Sequence, residues 1–376
     1  MLHIWFLLPL CFFRGCIIPY EPDIGESADL VSIEGSIIKG QPVQSVLIAR
    51  TTTVSYSKFH PMEDCRVVLQ DDHENEYVYQ EEGGGRYNLE LPGDALVFGR
   101  KYRLQVTTPS GEQYGSRFEE LREGAVVDTV YYQVEEKLDN LTGEETFGLQ
   151  FYIDLKASDS ISRYFRWNLE ETYEYTSIAP VTYYLTGDSV IFPQDPFEVY
   201  RCWKTLKVNQ LFLSNTVNLT LNEKKRIPLN YVSTQTDRLK YKYSLLVWQY
   251  TLSEGAYNYW QKKKNETQES GGLYTQQPGQ PITNLYDVND TTRQLLGYFW
   301  VSHMTGKRIL VPRIHSMPVV GDYCEMVEFD PIVHGKGPFP RYIWVDDLTG
   351  IKWTGNNICF NCTFKGGSVK KPPFWE

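Results

Sequence analysis

At 376 residues, 41% of them hydrophobic and 22% charged, the chain has enough apolar material for two ordinary domains and too much for disorder. Its formal net charge of -10 and scattered Lys and Arg residues lack the clustered basic footprint that nucleic acid requires. Aromatic residues make up 14% of the chain, and that weight favours pleated sheet, where large flat side chains pack well.

The chain is apolar from Leu2 to Phe13 and continues Arg14-Gly15-Cys16. An apolar run of that length suits a signal-peptide core and is too short to span a bilayer. Gly15-Cys16 resembles a lipobox, in which Cys16 is lipidated and becomes the mature N-terminus, although Phe13 and Arg14 depart from the usual pattern. A plain secretory signal and a buried apolar strand are the other readings. Residues 1–16 are thus expected to be a signal peptide. The Pro, Gly and acidic residues of 17–29 suit a tether, since they cannot build a core.

Short strands follow. Leu30–Ile37 alternates, with Val31, Ile33 and Gly35 on one face. Gln44–Thr51, Cys65–Gln70, Glu76–Gln80, Arg86–Leu91, Lys101–Thr108 and Glu112–Leu121 complete the set. The breaks between them carry turn chemistry: the polar loop Asp71–Asn75, the triplet Gly83–Gly85 and Pro109-Ser110-Gly111. This spacing predicts a β-sandwich over 30–123. Gly-x-Tyr at Gly85–Tyr87, with Gly-x-x-Tyr-x-Leu-x-Val at Gly99–Val106, is similar to immunoglobulin-like or carboxypeptidase-regulatory-like sandwiches.

A boundary is expected near Gly124, with a larger β-rich α+β domain over 124–376. Its strands begin with Val126–Val134 and Thr146–Leu155. Tyr164–Leu169 places Phe165 and Trp167 on one face, and Val181–Phe192 reads as a hairpin turning at Gly187-Asp188. Lys207–Leu213, Ile227–Leu229 and Tyr241–Thr251 follow. The main helix is predicted near 253–265. Ser253 is its N-cap, Glu254 meets the positive end of its dipole, and Lys262–Lys264 closes it. Ala256, Tyr259, Trp260 and Lys263 mark one face. An aromatic strand, Gln294–Met304, comes next, then Arg308–Val311. Phe374 and Trp375 at the end are expected to dock onto the body.

Motifs of chemistry are sparse. There is no Walker loop, G-x-S-x-G or H-E-x-x-H, and nothing calls for a cofactor. His73-Glu74 sits in a predicted turn, and Asp287, Asn289 and Asp290 lack EF-hand spacing. The adjacent pairs Asp71-Asp72 and Asp346-Asp347 would point to opposite faces of a strand, so neither forms an acid/base dyad. The cysteines outside the signal region are Cys65, Cys202, Cys324, Cys359 and Cys362, an odd number. Cys324 with Cys359-x-x-Cys362 suits a disulfide, a zinc site completed by His315 or His334, or free thiols. Trp248, Tyr257, Trp260, Tyr298 and Trp300 suit either core packing or a sugar or peptide platform. The polar, Gln-rich loop Gly271–Asn284 is the candidate ligand or partner loop, through Tyr274, Gln276, Gln277 and Asn284.

Several longer patterns resemble one family. They are C-x-x-x-Y-x-P-D at Cys16–Asp23, L-V-x-x-E-G at Leu30–Gly35 and Y-F-R-W-N-x-E-E-T-Y at Tyr164–Tyr173. Cys202-Trp203, the run Tyr243–Trp260 and the terminal C-x-x-C…G-G…K-P-x-F-W complete them. Together they resemble the Bacteroidetes envelope lipoprotein family called domain of unknown function 4249. That resemblance implies an outer-membrane lipoprotein held by an N-terminal lipid, often encoded near TonB-dependent receptors, and hence a binding or accessory role beside such a transporter. It brings no catalytic residues. A glycan or peptide hydrolase and a structural adhesion module are the alternatives.

Overall fold

The computed structural model describes residues 30–51, 59–138, 143, 145–269, 282–321 and 323–375. The expected signal peptide, Cys16, the tether and Tyr274, Gln276 and Gln277 lie outside them. The chain opens with β1 (Leu30–Lys39), β2 (Val43–Thr51), β3 (Phe59–Pro61), β4 (Arg66–Asp71) and β5 (Glu76–Val78). β6 (Gln80–Gly83), β7 (Arg86–Glu90), β8 (Lys101–Thr107), β9 (Gln113–Ser116) and β10 (Glu119–Glu120) follow. The middle supplies β11 (Thr129–Leu138), β12 (Glu145–Lys156), β13 (Tyr164–Thr176), β14 (Tyr183–Thr186) and β15 (Ser189–Ile191). β16 (Arg201–Asn215), β17 (Glu223–Ser233) and β18 (Tyr243–Leu252) lead into α1 (Glu254–Glu269). The last part holds β19 (Leu285–Asp287), β20 (Leu296–Val311), β21 (Met326–Glu328), α2 (Pro331–His334), β22 (Arg341–Val345) and β23 (Lys352–Gly355).

A nine-stranded sheet is the spine, in the order β16-β13-β18-β20-β1-β2-β7-β6 with β3 on β2. Its strand pairs are antiparallel except β1 with β20, which run parallel. Alternation sorts its side chains. Val31, Ile33 and Ile37 of β1, with Val46, Ile48 and Phe299, face a second sheet, β19-β9-β8-β4-β5 with β10 on β8. At the other end Phe165, Trp167 and Leu169 of β13, with Leu245 and Val247 of β18, face the β11-β12-β17 sheet. Phe165 and Trp167 are wholly buried, as their shared parity predicts. Truncating either to Ala would cost about 3–5 kcal/mol.

The sandwich expected over 30–123 is therefore finished by strands from beyond residue 124. β19 pairs with β9 and β20 with β1, so both of its sheets draw on the C-terminal part of the chain. α1 also differs from its expected extent. It runs past the Lys triplet to Glu269, because the sequence holds no Gly or Pro before Gly271.

A smaller sheet, β15-β14-β22-β23-β21, carries one disulfide of its own, between the segments flanking β21 and β23, and is tied to the body by a second. Cys324 is bonded to Cys359, and Cys362 to Cys202 at the start of β16, a partner that its spacing did not indicate. Cys65 remains a buried thiol. Trp375 docks as expected, its indole N–H donating to Glu174.

Gly297 makes the parallel seam possible. Its φ is +91°, and a Cβ there would overlap the Ile33 carbonyl of β1. Gly297→Ala is expected to lower stability by about 2 kcal/mol or more, read as a lower urea midpoint with an unchanged slope.

Candidate functional site

The sheet face that points away from both cores carries a different chemistry. Arg166, Asn168 and Glu170 share one parity on β13, Trp248 and Tyr250 on β18, and Tyr298, Trp300 and Met304 on β20. Register lines them up. Arg166 lies opposite Tyr250, Tyr250 opposite Met304, Glu34 opposite Tyr298, and Ser36 opposite Trp300. The Trp248 indole lies over Gly306, where a Cβ would overlap the ring.

α1 roofs part of this face. The Ser253 hydroxyl accepts from the Ala256 N–H at 3.2 Å and caps the helix as its sequence implies. Ala256 is fully buried, Tyr259 stacks on Tyr298 at 5.3 Å, and Trp260 meets Trp300 edge-on at 6.0 Å. Of the five expected platform aromatics, Tyr257, Tyr298 and Trp300 are buried and Trp248 and Trp260 half-buried. They form one cluster, part core and part cavity wall.

Arg166 sits inside that cluster. It is only 8% exposed, and its guanidinium lies 3.6 Å from the Trp260 ring centre and 5.5 Å from that of Trp300. Among the described residues its side chain makes neither an ion pair nor a hydrogen bond, and its Nε is buried without a partner. Burial lowers its pKa to about 10, so it keeps its charge at neutral pH. The nearby carboxylates are spent elsewhere. Glu34 takes Lys263 at 2.8 Å and the Tyr259 hydroxyl at 3.2 Å, and Glu170 pairs with Arg308 at 3.4 Å.

Two cavities share Arg166, Asn168, Gln41 and Tyr250 as lining. The smaller, about 330 Å³, is walled by Glu34, Ser36, Trp260, Tyr298 and Trp300. The larger, about 540 Å³, is walled by Trp248, Met304, Val208, Gln210 and Lys207. Both volumes fall in the range of small-molecule sites. The energy balance is uneven. Stacking a desolvated cation on an aromatic ring returns about 2 kcal/mol, whereas burying an unpaired ion costs several kcal/mol. A cost left standing beside a cavity is the mark of a group kept for binding.

The other expected site residues have structural places. Asn284 is buried. Its side-chain oxygen accepts from the Phe299 N–H at 3.0 Å, and its amide N–H donates to the Phe299 carbonyl at 2.7 Å, so it acts as a bracket on β20. The sulfurs of Cys324, Cys359 and Cys362 are all in disulfides. No cluster of three or more metal-ligating side chains exists among the described residues. Arg166 itself went unnoticed in sequence, where its strand was read only for Phe165 and Trp167. The available signal was parity: a cation alternating with two buried aromatics must face the other way, where Tyr250 and Trp248 also point.

Below the helix start, Glu119 accepts from the Tyr298 hydroxyl at 2.8 Å and from the Asn284 amide at 3.3 Å. Burial raises its pKa above the usual 4.5, against the pull of these donors and of Ser253. A raised folded pKa gives stability that is whole below the unfolded value and is lost as pH rises through the folded one. Glu119's contribution to the unfolding free energy should therefore fall as pH rises above about 4.5, and Glu119→Gln should remove that component, read as the difference between the two proteins in pH-dependent urea titrations. Arg166→Met is expected to leave stability unchanged or raise it by about 1–4 kcal/mol, since no partner is orphaned. A loss as large as that of a core truncation would show Arg166 to be a structural residue.

A family model described as a domain of unknown function (DUF4249) matches residues 17–308, a span that includes every residue around Arg166 named above. A search of curated proteins finds no match.

Proposed function

From the premise that the chain belongs to the family of domain of unknown function 4249, we propose that it is an envelope lipoprotein anchored through Cys16. There it captures a ligand on the Arg166 face and works beside a TonB-dependent outer-membrane transporter. The observation that carries the binding role is the buried, unpaired cation walled by aromatics and opening on two cavities. Binding is favoured over hydrolysis because the residues lining those cavities include no Ser–His or Cys–His pair, and their two carboxylates are ion-paired. The apolar run ending at Gly15-Cys16 supports export and lipid anchoring. Two disulfides support an oxidising compartment.

The test is affinity purification from the outer membranes of the native host. The protein should carry lipid at Cys16 and bring a TonB-dependent receptor with it, and Cys16→Ala should release it from the membrane fraction. Recovery from membranes without a receptor, or unchanged membrane retention of the Cys16→Ala protein, would overturn the corresponding half of the proposal.

A further inference from the structure

We propose that the Arg166 cavity takes a carboxylate carried on a flat, partly apolar body. The inference rests on the binding role proposed above and names its ligand class. Arg166 stacks one face of its guanidinium on Trp260, which leaves the edge of the fork as its hydrogen-bonding side. A planar fork matches the two oxygens of a carboxylate, and the stacked ring holds that fork in place before the ligand arrives.

Charge points the same way. Around the fork, Glu34 and Glu170 are each neutralised by a cation of their own, Lys263 and Arg308. The immediate polar neighbours, Gln41, Asn168 and Tyr250, are uncharged. One buried positive charge is left over, and the exposed Arg86 and Lys207 add cations to the walls of the two cavities, so the site attracts an anion.

The body of the ligand follows from the larger cavity. Its walls combine the Trp248 indole, Met304 and Val208 with the amides of Asn209 and Gln210. An indole laid over a glycine offers a flat wall, on which a planar or ring-shaped body stacks. The cavity has room for a small molecule of a few rings.

The experiment uses the full mature chain with benzoate, benzamide and inorganic phosphate as probes, each to about 50 mM at constant ionic strength. Readouts are the thermal midpoint and the fluorescence of the tryptophans that line the site. Benzoate should raise the midpoint and change the fluorescence. Benzamide, the same shape without the charge, should bind at least about tenfold more weakly than benzoate, and so should phosphate, which lacks the flat body. Arg166→Met should keep its fold and lose the benzoate response. Arg166→Lys, which keeps the charge and loses the fork, should retain a response weakened by about tenfold. Equal binding of benzoate and benzamide, a benzoate response in Arg166→Met, phosphate binding as tight as that of benzoate, or no response to benzoate would each overturn the proposal. The purified chain reports here without an envelope or receptor, so a failed receptor pull-down and a failed carboxylate titration remain distinct results.

Discussion

The parallel seam between β1 and β20 is the contact on which the rest of the architecture hangs. A parallel pair cannot close through a short turn, so its two strands must come from separated parts of the chain. Here the first half of β20 pairs with β1 and the second half with β18. One strand thereby fuses an N-terminal sandwich and a C-terminal layer into a single nine-stranded sheet. Gly297 permits the approach, and Asn284 clamps the adjoining Phe299 backbone from the side. Without the seam, Glu34 and Ser36 would not stand beside Tyr298 and Trp300, and the smaller cavity would lose one wall.

The two faces of that sheet solve different problems. One is divided between two apolar cores, where burial pays for order. The other collects rings around a cation and leaves space between them. Its aromatics bury area as a core would, yet they surround a group that water would solvate better than they do. The sheet thus devotes one face to stability and part of the other to a configuration that stability alone does not favour.

The local features of this arrangement were readable in the chain. The period of two along Tyr164–Leu169 placed Phe165 and Trp167 inward, Ser253 announced the helix start, and Gly187-Asp188 marked the turn between β14 and β15. Such signals depend on neighbours in sequence. The long-range features were not readable, because alternation says which way a side chain points and nothing about which strand lies beside it. The seam joins residues more than 260 positions apart, such as Ser32 with Leu296, and nothing local in either strand names the other. Cys362 is a similar case. Its neighbour Cys359 suggested a shared role, while its sulfur is bonded to Cys202, 160 residues away. Asn284 read as a loop residue from its polar surroundings, and only the fold turns its amide inward against a strand.

The permanence of the charge on Arg166 has a consequence for turnover. A guanidinium whose pKa is still about 10 stays ionised throughout the neutral range, so on the binding role proposed above a moderate change of pH cannot switch off its pull on an anion. On that reading, release of the anion has to be mechanical. The ring that backs the guanidinium, Trp260, belongs to α1, and α1 is also pinned through Lys263 to Glu34 at the rim. A shift of that one helix would withdraw the stacking ring and free the rim carboxylate together, offering the guanidinium a counter-charge of the protein's own.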